Sequence, residues 1–352
     1  VHRGVHELSQ RATANYDGVR EIAARFLNAA DLHEIVYTAG TTDGINLVAA
    51  SWGGANLGPG RAVVVTEMEH HANLVPWQRI CAETGAELRV IPITDTGELD
   101  LDAAASLIDE KVAMVAVVHV SNALGTVNPV DVLVRMARQA GALVLLDGAQ
   151  ATPHQPVDVQ ALDCDFYVFS GHKVCGPSGV GILWGRKALL DAMPPYRSGG
   201  DMIDRVTLQS STYQPAPLRF EAGTPNIAGV IGLGAALEYL MGLGMDRVAA
   251  TEADLFAYAR PRLEAVDRII PVGTAANKAA VFSFLAEGAH ATDIGMMLDT
   301  RGIAIRTGHH CAQPVMDHYG VSATARASFA FYNTRDEVDR LVEGLERVLS
   351  MF

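Results

Sequence analysis

Short apolar runs alternate along the first two thirds of the chain with stretches in which apolar residues return every three or four positions. The runs EIVYTA (34–39), RAVVVTE (61–67), ELRVIPI (87–93), VAMVAVVHV (112–120), ALVLLD (142–147), DFYVFS (165–170) and GVGILWG (179–185) read as strands. They are short, apolar and separated by helix-like stretches. In amphipathic segments between them, such as PVDVLVRMARQAG (129–141), Val130, Leu133, Val134 and Ala137 share one helical face and Gly141 ends it. This alternation predicts an α/β domain with a large, mainly parallel sheet flanked by helices.

A helix over 226–244 follows, capped by Thr224 and opened by Pro225. Its segment is the most apolar in the chain, yet Glu238 and several glycines argue for a helix of a soluble protein over a membrane span. Beyond it the pattern changes to TEADLFAYARPRLEAV, AAVFSFLAE, ATDIGMMLDTRG, IAIRTG and RASFAFYNT, which suits a smaller α+β domain. The expected division is a large cofactor-binding domain over 1–245 and a small C-terminal domain over 246–352. The Pro/Gly-rich stretch 194–225 is expected to run over the surface or into a partner.

Composition narrows the function. The 352-residue chain is 49% hydrophobic and carries a formal net charge of -13 with no run of lysine or arginine. That balance argues against nucleic acid and anionic membrane as partners, leaves small metabolites and proteins, and fits a cytoplasmic location. Cys81, Cys164, Cys175 and Cys311 form no CxxC pair and no disulfide-scaffold spacing, so a reducing compartment is expected. No targeting signal is visible. The opening VHRGVHELSQ lacks Met and begins as though inside an ordered element, as a fragment would.

In open parallel sheets ligands collect at the carboxyl ends of the strands. The polar residues that follow the runs are Gly40, Thr41 and Thr42; His70 and His71; Asn122; Asp147 and Gln150; Ser170, His172 and Lys173. Each has an ordinary reading: helix caps at Thr41 and Asp147, polar loop ends at the histidines, a lysine snorkelling to water. In order at successive strand ends, they point to one crevice. An anion cradle, an imidazole plate, a carboxylate and an amine are what pyridoxal 5'-phosphate requires. A lysine after a buried strand must be solvated, paired, or used in neutral or covalent form, and a Schiff base with that cofactor meets the condition.

The segments HRGVHELSQRAT, TAGTTDGINLVA, EMEHHANLVPWQ, SNALGT, DGAQA, DFYVFSGHK, RFEAGTPN, RTGHHCAQP and RASFAFYNT extend nearly end to end. On them the chain resembles the SUF-type (group II) cysteine desulfurases and selenocysteine lyases, within the class V aminotransferase family of fold type I pyridoxal phosphate enzymes. The resemblance implies that Lys173 binds the cofactor covalently, Asp147 pairs with its ring nitrogen, Gln150 bonds the ring hydroxyl, and His70 stacks on the ring and relays protons. It implies that Thr42, Ser170 and His172 hold the phosphate, with Thr224 reaching in from the other subunit of a homodimer; Thr41 joins this cradle by its place at the helix start. Asn122 and Arg326 would hold the substrate carboxylate, and Arg306 would sit near the reacting sulfur. Cys311 matches the thiolate that takes sulfur from L-cysteine as a persulfide and releases L-alanine, feeding iron–sulfur cluster assembly through a SUF-type acceptor protein.

Arg306, His309 and His310 are expected to lower the pKa of Cys311. A metal site on His309, His310 and Cys311 is disfavoured because adjacent side chains diverge, so no metal is expected. Pro314 suggests a short, poorly mobile loop from which a persulfide leaves only to a docked acceptor thiol. Cys175 replaces a residue usually bulky in the family and is expected to be a small buried packing residue. Similar proteins carry a further segment before HRG, including a small-residue loop near the substrate. Three rival readings remain: a selenocysteine lyase acting on L-selenocysteine, a non-catalytic interaction subunit with the same fold, and an ordinary aminotransferase, which leaves Cys311 without a task.

Overall fold

The computed structural model describes residues 4–352. The large sheet is built from β1 (Ile35–Thr38), β2 (Ala62–Thr66), β3 (Glu87–Ile91), β4 (Val112–Val118), β5 (Leu143–Asp147), β6 (Phe166–Ser170) and β7 (Gly181–Gly185), in the order β1-β7-β6-β5-β4-β2-β3. Each expected run supplies one of these strands. β2, β4 and β6 are buried at every residue because helices cover both faces, which is why they read as unbroken apolar runs. Pairing is parallel except along β7, which is antiparallel to both β1 and β6. A tight connection over 171–180 replaces the crossover helix that a parallel neighbour would need. Two successive reversals leave β1 pointing the same way as β6, so the carboxyl ends of β1, β2, β4, β5 and β6 share one edge of the sheet.

The helices follow from their patterns. Val130–Ala140 buries Val130, Leu133, Val134 and Ala137, and Gly141 ends it in a left-handed conformation whose N–H returns to the last turn. The apolar helix is present as Ile227–Leu243, but its cap is Asn226 rather than Thr224, and Pro225 lies outside it. The Asn226 side chain accepts the Gly229 N–H at 3.0 Å and also donates to the Gly179 carbonyl at 3.0 Å, so one amide caps the helix and ties it to the chain entering β7. Thr224 lies two residues before this cap, outside the first turn. Val230, Leu233, Leu237 and Leu240 of this helix pack into the core that the helix Glu7–Leu27 also lines. Among the described residues, no single helix is long and apolar enough to cross a membrane.

The stretch 194–225 carries an exposed hairpin of β8 (Ile203–Val206) and β9 (Ser211–Tyr213), with Leu208 at its tip. A second, antiparallel sheet joins β10 (Ile269–Val272), β11 (Val281–Ala286), β12 (Arg306–Gly308) and β13 (Thr324–Ser328) in the order β10-β11-β13-β12. Its core is shared with the helices Met245–Glu264, Ala291–Asp299 and Arg335–Leu349. The short helix Gln313–His318 behaves differently: Val315 and Met316, with Ala312 before them, pack into the core of the large sheet. The segment between β12 and β13 therefore starts on one sheet and is buried against the other.

Replacing Asn226 by Ala removes a cap worth about 1 kcal/mol and should make the Gly229 amide exchange with solvent about fivefold faster, whereas Thr224→Ala leaves it unchanged. Hydrogen exchange read at the first turn of the helix checks this; equal effects of the two substitutions contradict the assignment of the cap.

Candidate active site

The shared strand ends enclose a cavity of about 140 Å3 whose lining includes Thr41, Thr42, His70, Asn122, Asp147, Gln150, Ser170, His172 and Lys173. Nine of the residues expected from strand-end position thus meet in one place. At one end, the helix Thr41–Val48 starts from Gly40, whose φ of +143° suits glycine and whose added Cβ would stand 3.1 Å from Ser170 Oγ. The Thr41 N–H donates to Ser170 Oγ at 2.8 Å, and Thr41 Oγ1 lies 2.8 Å from the same oxygen. Hydroxyls from two strand ends are drawn together at a helix N-terminus, with Thr42 and His172 on its open side. That is the composition of an anion cradle.

Toward the middle, Asp147 is buried at the end of β5, and its Oδ1 accepts the Ala149 N–H at 2.9 Å. Burial pushes its carboxyl pKa up, while the nearby Lys173 ammonium and the Ala149 N–H pull it back. Burial pushes Lys173 down; Asp147 holds it up, Arg326 pushes it further down and Cys311 raises it. Lys173 thus senses the carboxylate of the neighbouring strand and two groups brought by the second sheet. His70 accepts the Ala72 N–H on Nδ1 at 3.0 Å, which places its proton on Nε2. Burial, then Lys173 and His71, lower its pKa to about 4, so the ring is neutral at pH 7.

Glu69 was missed by the reading of strand ends. It is fully buried and accepts the Thr66 hydroxyl and the Asn73 amide at 2.7 Å each, and the Val118 N–H at 2.9 Å. Burial raises its pKa to about 8, against the pull of these three bonds. It joins β2, the end of β4 and the turn bearing His70. The signal was available in the sequence as an acid just past a buried strand, with a hydroxyl three residues before it and an amide four after.

The second sheet contributes two arginines. Arg306 and Arg326 stand opposite each other in the register of β12 and β13. Arg326 donates from Nη1 to the Asn122 carbonyl at 2.5 Å, while Arg326 Nε and Asn122 Oδ1 are buried without partners among the described residues. Burial, then Arg306, lowers the Arg326 pKa. A buried guanidinium with an unused donor is suited to a carboxylate. The Asn122 amide donates to the His310 carbonyl at 2.6 Å, so it also secures the loop carrying the cysteine. Arg306 is exposed and outside the cavity lining. Thr224 lies in a separate cavity with Tyr37, Glu221 and Asn226, so this chain alone does not bring it to Lys173.

Cys311 is half-buried, and it and His310 both have left-handed backbones, with φ of 55° and 52°. His310 does not supply the positive charge expected of it: burial, then Arg326, lowers its pKa to about 4, and its Nε2 is 2.9 Å from Thr324 Oγ1. Cys175 is a second correction. It is exposed, with a φ of 61°, because the chain reverses there between the turn bearing Lys173 and β7.

The donor set fits pyridoxal phosphate: an anion cradle at a helix start, a neutral imidazole, a buried carboxylate, and an amine whose charge is disfavoured. His70, His119 and His310 each have a pKa lowered from 6.5 to about 4, chiefly by burial. Folded, they stay neutral; unfolded, they take protons below pH 6.5. Stability is therefore fully present above 6.5 and lost as pH falls toward 4, by up to about 1 kcal/mol per histidine per pH unit. Melting temperatures of cofactor-free protein across this window should fall steeply, and His119→Phe should flatten the slope; a flat profile in the unsubstituted protein contradicts the buried neutral rings.

The sequence matches the family model described as Aminotransferase class-V over residues 1–341. A cysteine desulfurase of Klebsiella pneumoniae (strain 342) is 55% identical over 349 residues, covering 99% of this chain and 86% of that protein. The apo cysteine desulfurase from Thermococcus onnurineus NA1 superposes with a TM-score of 0.95, at 40% identity, over 100% of this chain and 88% of its own. The cysteine desulfurase CsdA (S-sulfonic acid) from Escherichia coli gives a TM-score of 0.93 at the same identity and coverage. With a matching fold over its whole length and the lysine, aspartate and hydroxyl cradle gathered at one edge of its main sheet, this chain belongs to the class V aminotransferase family.

Proposed function

We propose that this protein is a pyridoxal phosphate-dependent cysteine desulfurase that moves sulfur from L-cysteine to Cys311. It acts as a cytoplasmic homodimer and passes the sulfur to a SUF-type acceptor protein for iron–sulfur cluster assembly. The observation that carries the reading is that Lys173 shares one cavity with Asp147, His70 and the hydroxyl cradle, while the Cys311 loop of the second sheet is tied to the turn bearing His70 through the His71 N–H and the Cys311 carbonyl, 2.7 Å apart. Relatives 54–55% identical over nearly the whole chain bear the same activity in their names.

When bound, the cofactor supplies an electron sink that labilises bonds at the substrate's α- and β-carbons. Lys173 would hold it through the aldehyde, Asp147 at the ring nitrogen, Gln150 at the ring hydroxyl and His70 on the ring face. Thr41, Thr42, Ser170 and His172 would hold the phosphate, joined by the partner subunit's Thr224. Burial lowers the Lys173 pKa, which makes its neutral amine available as nucleophile or base. Arg326, with a free Nε, binds the substrate carboxylate, and Arg306 stands next to it toward solvent.

Cys311 attacks the substrate's sulfur as a thiolate. A sulfur–sulfur bond forms, the carbon–sulfur bond breaks with its electron pair staying on carbon, and protonation there gives L-alanine. The loop of Cys311 is anchored to both sheets, so its persulfide waits for an acceptor thiol instead of travelling to one.

Incubating the cofactor-loaded protein with L-cysteine should add the mass of one sulfur atom to the Cys311 peptide. Cys311→Ser should lower alanine formation by about 100-fold or more, as loss of a nucleophile does. Sulfur on Cys175, or full turnover by the Cys311→Ser variant, contradicts the proposal.

A further inference from the structure

We infer that His71 is a positioning residue for the nucleophile, fixing the Cys311 loop to the same turn that carries His70. The inference rests on the proposed transfer of sulfur to Cys311. His71 opens the short 3-10 turn His71–Asn73 directly after His70. Its backbone N–H donates to the Cys311 carbonyl at 2.7 Å, and its Nε2 accepts the Gln313 N–H at 3.2 Å. One residue at the first sheet's edge thus holds the cysteine that hangs from the second by its carbonyl side, at two points. His309 holds the other side: its Nδ1 accepts the Cys311 N–H at 3.0 Å, and its ring centre lies 5.6 Å from that of His71.

The loop requires such a hold. His310 and Cys311 are consecutive non-glycine residues in left-handed conformation, a state that persists only where the surroundings impose it. The helix Gln313–His318 has no side-chain cap at Ala312, so the Gln313 N–H is one of its orphan donors, and His71 satisfies it from outside the helix. Accepting that bond requires a lone pair on Nε2 and hence a neutral ring, which burial and His309 favour by lowering the His71 pKa. Because His70 and His71 are adjacent, one turn sets the position of the imidazole plate and of the thiol together.

The test compares His71→Leu, which fills the space without an acceptor, with His71→Gln, whose Oε1 reaches the place of Nε2. Three quantities are read: amide exchange of residues 309–314 without cysteine, the absorbance change that cysteine causes in loaded enzyme, and the rate at which sulfur reaches Cys311 in a single turnover. His71→Leu should speed the exchange and slow the sulfur arrival by about tenfold each, with the absorbance change preserved, and His71→Gln should restore most of both. The inference is overturned if the leucine variant matches the unsubstituted protein in exchange and rate, or if glutamine rescues neither. Failure of the functional reading shows separately, as no sulfur on Cys311 in the unsubstituted protein. His71→Ala adds a third arm that retains the backbone bond alone and should resemble leucine; an alanine variant that behaves as the unsubstituted protein overturns the inference.

Discussion

An amine at the end of a buried strand is tolerated in this fold because a carboxylate stands at the end of the neighbouring strand. Asp147 closes β5 and Lys173 follows β6, and each shifts the other's protonation against the cost of burial. Neither charge is easily kept dry alone. Parallel pairing makes the arrangement possible, since it brings successive carboxyl ends to one edge, and the single reversed strand β7 adds β1 to that edge with its helix start and threonines. The crevice is thus a product of strand direction before it is a product of any side chain.

The second constraint is the crossing between sheets. Arg326 reaches the Asn122 carbonyl, the Asn122 amide reaches the His310 carbonyl, and His71 holds the Cys311 carbonyl and the Gln313 N–H that follows it. The helix after the cysteine then buries Val315 and Met316 in the core of the large sheet. Polar bonds set the loop's shape, and apolar burial sets its depth. A cysteine held this way presents its sulfur at a fixed point, which suits the sulfur transfer proposed for it.

Much of this was legible in the sequence because strands buried on both faces leave unbroken apolar runs, and the polar residues just past them are the ones those strands deliver to the edge. Where the sequence misled, long-range contacts decided. Thr224 looked like the cap of the apolar helix until Asn226 proved able to bond both the helix and Gly179. His310 looked like a cation beside the thiol, but burial beside Thr324 and the nearby charge of Arg326 keep it neutral. Cys175 looked like a packing residue and instead sits on the outside of a reversal. Glu69 went unnoticed because acids usually mark surfaces, whereas this one is surrounded by three donors from separate segments.

The most direct test of the account asks which amine takes the cofactor. The chain contains four lysines, Lys111, Lys173, Lys187 and Lys278. Lys278 is the natural competitor, since burial also lowers its pKa, to about 8. Hydride reduction of the cofactor-loaded protein followed by peptide mapping fixes the cofactor wherever it was bound. The account predicts the label on Lys173 alone; label on Lys278, or spread over several lysines, contradicts it.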